Sequence, residues 1–268
     1  MDDPDLKLLL AILLVLVVAG TGWYFRDELL PRQEDAVVEL PQETPAAATV
    51  EGIPKHPVEP YEPPQGGPLE LVPLPPLDDS DAYFLLALAD VFGAAIEPLL
   101  MQDAVIDRFV ATVDNLPRNH VAEKIRPVGR LADVFRADIK GKDGPIYISA
   151  ENYQRYDHLV SRIATADIDQ VVDTYRRFYP LLQQSYQRLG YPNGYFNDRV
   201  IEVIDHLLAT PRVEEPVELV RPHVLYEFAD PDLEALSSGQ KLLLRMGSEH
   251  AAVTTRLLRE LRSQLAKQ

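Results

Sequence analysis

Hydrophobic positions follow three different rules along this chain. From Leu8 to Phe25 they run almost without interruption: Leu8, Leu9, Leu10, Ala11, Ile12, Leu13, Leu14, Val15, Leu16, Val17, Val18 and Ala19, then Trp23, Tyr24 and Phe25 after a short Gly-Thr-Gly step. From 31 to 77 they have no period and are broken up by proline. From 78 to 268 they recur at i, i+3, i+4 and i+7, the spacing of helices with one buried face.

The first rule predicts a membrane anchor in residues 1–30. No charged side chain falls between Leu8 and Phe25. A helix rises about 1.5 Å per residue, so this run with its flanks crosses a hydrocarbon core of roughly 30 Å. Lys7 can snorkel at one end, and Trp23, Tyr24 and Phe25 sit where an aromatic belt would. The expected partner of this segment is the lipid bilayer. A cleaved signal peptide is the competing reading, since Val17 and Ala19 have the small-residue spacing of a cleavage site. The leader of a signal peptide is basic, whereas this one holds Asp2, Asp3 and Asp5 against Lys7, which favours a retained anchor. Positive charge is nearly balanced across the run, Lys7 and the amino terminus against Arg26 and Arg32. A short cytoplasmic stub followed by an exported domain is the expected arrangement. The chain has no Cys, which suits a protein of an oxidising compartment and excludes a lipid-modified cysteine.

The second rule predicts a linker over 31–77. Twelve of its residues are proline and eight are acidic, against Arg32 and Lys55. Proline removes the amide donors that a helix or an inner strand needs, so this stretch is expected to be extended, with like charges opposing collapse. It reads as a spacer that adds nothing to the stability of the domain beyond it. A role as a proline-motif ligand is weaker, because no basic cluster flanks the prolines.

The third rule predicts a mainly α domain over 78–268. Helices are expected from Asp81, from Asp103 to Leu116, from Ser149 through Ile163, from Ile168 to Leu189, from an Asn197 cap to Leu208, and from Ser248 to the end. The stripe Ile168, Val171, Val172, Tyr175, Phe178, Tyr179, Leu182, Tyr186 and Leu189 is the strongest, with Gly190 as its stop and Pro180 as an expected kink. A small β-hairpin is expected from Val134–Ile139 and Ile146–Ile148 around Gly141–Gly144. Val217–Phe228 has strand-like composition, but Pro222 demotes it to an edge or extended segment.

Charge and motifs narrow the chemistry. The domain carries 29 acidic and 22 basic residues, and the whole chain has a net charge of −16, which argues against nucleic acid as a partner. Ser238-Gly239-Gln240-Lys241 matches the S-x-x-K of penicillin-binding enzymes, but neither companion motif follows. Ser238 is expected to cap a helix, and Lys241 to lie on its solvated face. None of the six histidines forms a metal-binding pair, and no phosphate loop or nucleophile elbow is present, so no catalytic residue, metal or cofactor is assigned. Seven of twelve tyrosines lie between Tyr153 and Tyr195, among Arg155, Arg162, Arg176, Arg177 and Arg188. Tyr and Arg are favoured at binding hot spots. Tyr191, Tyr195 and Phe196, with Arg188, are therefore the candidate partner-binding residues; the alternative is that these aromatics close a helical corner.

Three long segments carry a resemblance. ISAENYQRYD (148–157), YPLLQQSYQRLGYPNGYFNDRVIEVIDHLLATP (179–211) and YEFADPDLEALSSGQKLLLRMGSEHA (226–251) resemble a bacterial family known as domain of unknown function 3014. The resemblance implies a Gram-negative source and a layout of one N-terminal inner-membrane helix, a proline-rich linker and a helical periplasmic domain. It implies no activity, cofactor or catalytic residue. The expected role is a non-enzymatic envelope interaction or scaffold module whose partner is an envelope protein or peptidoglycan. The alternative is a cell-wall enzyme or a peptidoglycan-binding domain.

Overall fold

Apolar faces at helical spacing must be buried against one another, and one helix of this chain is buried on nearly every side. The computed structural model describes residues 53–61, 73–128, 135–142, 144–164, 167–223 and 225–266. The expected anchor, Leu8 to Phe25, lies outside them. Among the described residues no helix is long and apolar enough to cross a membrane.

The elements follow in chain order. Helix α1 is Asp81–Phe92 and α2 is Val105–Asn115. Strands β1 (Ala137–Ile139) and β2 (Ile146–Ile148) come next, then α3 (Ala150–Gln154) and α4 (Asp157–Ala164). The long α5 is Ile168–Arg188 and α6 is Phe196–Leu208. Strands β3 (Glu218–Val220) and β4 (Glu227–Phe228) precede α7 (Pro231–Glu234), α8 (Ser238–Arg245) and α9 (Ser248–Ala266). The domain is mainly helical with a small antiparallel sheet.

Helix α2 is the centre. Val105, Ile106, Phe109, Val110, Ala111, Thr112, Val113 and Asp114 are all buried. It packs against α1, α5 and α6, while α9 closes the bundle against α4, α5, α6 and α8. Aromatic edges lock the layers: Phe84 of α1 meets Phe178 of α5 at 5.0 Å between centroids, and Phe109 meets Phe196 at 6.0 Å. At its entrance, both carboxylate oxygens of Asp81 accept the backbone N–H groups of Ala104 and Val105 at 2.8 Å. These amides have no intrahelical acceptor, so Asp81 does for α2 what an N-cap side chain ordinarily does.

The sheet is larger than a hairpin. Its order is β1-β2-β3-β4, all antiparallel, with Ile139 opposite Ile146 and Leu219 opposite Phe228. The expected edge segment 217–228 thus supplies β3 as an inner strand. Pro222 lies in the connection between β3 and β4, where its missing donor breaks no ladder bond. Ile148, Val217, Leu219 and Phe228 form a second small core with Leu244 of α8.

Two helices differ from expectation. The helix expected from Ser149 through Ile163 divides into α3 and α4. The Tyr156 N–H returns to the Tyr153 carbonyl, and the buried Tyr156 ring faces His250 at 6.5 Å. Helix α6 starts at Phe196 with Tyr195 as its N-cap, so Asn197 is an interior residue rather than the cap. Helix α5 runs through Pro180 as one element.

The first turn of α8 meets the end of α2 at Gly239. Its N–H donates to the Leu116 carbonyl at 3.1 Å, and a β-carbon there would stand 2.5 Å from Leu207 Cδ2. Gly239→Ala is expected to destabilise the domain by about 1–3 kcal/mol, the usual cost of overpacking. Urea denaturation checks this; an unchanged midpoint would show that α8 does not approach Leu207 of α6 so closely.

Candidate functional site

The tyrosine-rich face of α5 organises the loop that follows it. Tyr175 is buried and donates its hydroxyl to Asn197 Oδ1 at 3.2 Å. Tyr179 donates to Gln183 Oε1 at 3.1 Å. Gln183 then holds both ends of the turn: its Nε2 donates to the Gly194 carbonyl at 2.7 Å, and its Oε1 accepts the Phe196 N–H at 2.8 Å. Burial disfavours the phenolate, so the Tyr175 hydroxyl is pushed well above its ordinary value, and Tyr179 is pushed up to about 12. Tyr186 is likewise pushed up to about 12, by burial and then by the nearby Asp114 carboxylate.

Asn197 and Asp198 form a clamp beside this network. Asn197 is fully buried, and its Nδ2 donates to the His56 carbonyl at 2.9 Å and to the Leu265 carbonyl at 3.3 Å. Asp198 accepts the backbone N–H of Lys55 at 2.9 Å and that of His56 at 2.8 Å, one on each oxygen. Val58 and Leu74 pack partly buried against the main core, and Leu77 belongs to it. Residues 53–61 and 73–77, which fall in the expected spacer, therefore contact the domain. A cleft of about 440 Å³ opens between this segment and α5, lined by Glu59, Pro60, Tyr61, Asp173 and Arg176.

A buried carboxylate lies at the other end of α2. Asp114 accepts Arg199 Nε at 2.9 Å, Arg118 Nη2 at 3.0 Å and the Tyr191 hydroxyl at 3.2 Å. Arg199 also donates to the Asp114 carbonyl at 2.8 Å and pairs with Glu202 at 2.9 Å. Both oxygens of this buried charge are hydrogen-bonded and two guanidinium groups face it, which is the condition for keeping a charge in a low-dielectric interior.

The candidate residues scatter across these roles. Phe196 is a core residue, fully buried against Phe109 and Tyr186, and it offers no surface to a partner. Tyr191 is half-buried; its ring stacks on Tyr186 at 4.6 Å and its hydroxyl is held by Asp114. Tyr195 is half-exposed at the N-cap of α6. Arg188 is exposed and pairs through two nitrogens with Asp78 at 2.5 and 3.4 Å, which holds the Asp78 carboxyl below its ordinary value. The loop aromatics close a helical corner. The backbone-reading pair Asn197 and Asp198 was not singled out by sequence, because its ligands lie more than 140 residues away in the chain.

The S-x-x-K segment also differs from expectation. Ser237, not Ser238, is the N-cap of α8, in a capping box with Gln240. Its Oγ also lies 2.8 Å from His206 Nε2. Burial and then Arg199 depress the His206 proton affinity. Lys241 is buried, not solvated: its Nζ donates to Glu234 Oε1 at 2.6 Å and to the Glu234 carbonyl at 2.8 Å. A lysine bound this way ties α8 to α7. Among the described residues no group of three or more His, Asp or Glu could hold a metal ion.

The family comparison agrees with these elements. A family model described as "Protein of unknown function (DUF3014)" matches residues 105–262, from the start of α2 to near the end of α9, and the chain belongs to that family. Neither the curated proteins nor the solved structures include a match.

Two stability outcomes follow from the buried residues. Asp114→Ala is expected to destabilise by about 3–5 kcal/mol, because it leaves Arg199 without its buried counter-charge. Phe196→Ala is expected to cost a similar ~3–5 kcal/mol through its cavity. Equilibrium denaturation with loss of less than about 1 kcal/mol in either would contradict these placements. The tyrosines set a pH limit. Their folded values lie above the ordinary 10.0, so folding favours the protonated phenol. That contribution is fully present below pH 10.0 and is lost as pH rises toward about 12. The urea midpoint should hold up to about pH 9 and fall by about pH 11.5, with phenolate absorbance rising together with unfolding; a midpoint that stays level would refute it.

Proposed function

We propose that this DUF3014-family chain is a single-pass inner-membrane protein whose helical domain works in the periplasm as a non-enzymatic interaction module. The uncharged run Leu8–Phe25, with its acidic leader and aromatic end, supports the anchor. The observation that carries the interaction role is the clamp of Asn197 and Asp198. Its hydrogen bonds to residues 55 and 56 all go to main-chain groups, which is how a surface binds an extended polypeptide. Of the S-x-x-K pair, Lys241 is bound by Glu234, and the cap of α8 is the preceding Ser237.

Peptidoglycan is the second reading, and the cleft beside Tyr61 favours it. Tyr61, Glu59, Asp173 and Arg176 give it an aromatic ring and both charge signs, a set that suits a sugar bearing a charged peptide.

Topology and role are tested together. A reporter active only in the periplasm, fused after Gln268, is expected to be active, and the protein should resist extraction from membranes by alkali. An inactive reporter, or a mature chain beginning at Gly20, would overturn the topology. Crosslinking in native membranes followed by pull-down is expected to recover an envelope protein; recovery of glycan strands alone would favour the second reading.

A further inference from the structure

The clamp has a chemistry more specific than adhesion of a neighbouring loop. Residues 54–57 read Pro-Lys-His-Pro. Proline has no N–H, so Lys55 and His56 hold the only two backbone donors of this tetrad. The structure turns the chain in a bend at these two residues and delivers both donors to one carboxylate, that of Asp198, at 2.9 and 2.8 Å. Asn197 takes the His56 carbonyl between them and the next proline, at 2.9 Å. All three contacts are made to backbone atoms of Lys55 and His56. A carboxylate that accepts two successive amides selects a backbone shape, and flanking prolines hold that shape at low entropy cost.

Asp198 is also placed to do this. It is the third residue of α6, where a helix favours a negative side chain. In a capping box such a residue folds back on its own N-cap amide. Here the Asp198 carboxylate is turned instead to the amides of Lys55 and His56. The clamp also touches α9 through the Leu265 carbonyl, so its geometry is set by three helices rather than by the bound segment.

We infer that the Asn197–Asp198 groove is a peptide-docking site for a bent Pro-x-x-Pro segment of an envelope protein, and that residues 53–61 are its built-in occupant. The inference rests on the interaction-module reading and names its partner chemistry. A tethered occupant has an effective concentration near millimolar for short links, so a partner segment must displace it. The occupied groove is the resting state.

The test uses the full chain in detergent and a labelled peptide with the sequence of residues 53–61. Wild-type protein is expected to bind it weakly, because the resident segment competes. The variant Lys55→Pro with His56→Pro loses both resident donors and keeps the groove, and is expected to bind the peptide at least tenfold more tightly. Adding Asp198→Ala to that variant should abolish binding. A peptide carrying the same two prolines should bind none of the proteins. Equal binding by wild type and the double-proline variant, or binding that survives Asp198→Ala, would overturn the groove. Should the double-proline variant fail to fold, amide exchange decides: the Lys55 and His56 amides should exchange at least tenfold faster in Asp198→Ala than in wild type, with α2 unchanged. Unchanged exchange also overturns it. A partner still recovered by pull-down after such a failure would leave the interaction module standing and remove only this groove.

Discussion

A helix buried on nearly every side must find most of its polar partners within the protein, and α2 imposes that constraint on the whole domain. Its first amides and last carbonyls need partners from the protein. Asp81 supplies acceptors at the start. At the finish, the Ser238 and Gly239 amides donate to the Arg118 and Leu116 carbonyls, so the first turn of α8 is pressed into place. Thr112 reaches the Ile125 carbonyl, and Asp114 gathers Arg118, Arg199 and Tyr191. The positions of α1, α6, α8 and the loop after α5 therefore follow from satisfying one central helix. Leaving a single buried charge or amide unpaired costs on the order of 1–3 kcal/mol or more, a large part of a stability of roughly 5–15 kcal/mol.

The same device appears twice with different consequences. Asp81 and Asp198 each accept two successive backbone amides of a distant segment. The first pair is integral, because Val105 and everything after it belong to the core. The second holds a segment whose side chains are mostly half-buried or exposed. Three hydrogen bonds with one charged partner are worth about 1–3 kcal/mol each. Ordering nine residues costs roughly 1–2 kcal/mol per residue, less where proline has already fixed the backbone. The three bonds offset only part of that cost, and the packing of Val58 against the main core adds to what holds the segment in place.

Periodicity made the helices legible because each carries its own apolar stripe. Phe84, Leu88, Val91 and Phe92 in α1, or Val200, Ile201, Ile204 and Leu207 in α6, need no knowledge of the rest of the chain to be read. What sequence could not show depends on partners far away. Lys241 looks like a solvated lysine until α7 places Glu234 beside it. Asn197 has the residue type and position of an N-cap, yet its amide is drawn inward by Tyr175 and His56. Pro222 weighed against an inner strand only because the turn between β3 and β4 could not be located. The anchor residues from Leu8 to Phe25 and the rest of the spacer lie outside what the structure describes.

The concentration of tyrosine has a structural cause that composition alone does not show. A buried tyrosine needs a polar partner for its hydroxyl, and α5 meets that need with Asn197 and Gln183. Those two amides have further hydrogen-bonding capacity, and they spend it on backbone: Gln183 on Gly194 and Phe196, Asn197 on Leu265 and His56. The tyrosines are thus the inner layer of a polar network whose outermost contacts are main-chain atoms. These outer contacts depend on chain shape rather than side-chain identity, so no sequence motif announces them. The aromatic residues orient the clamp from within, and Asp198, a single unremarkable acidic residue in an acidic protein, carries the contact.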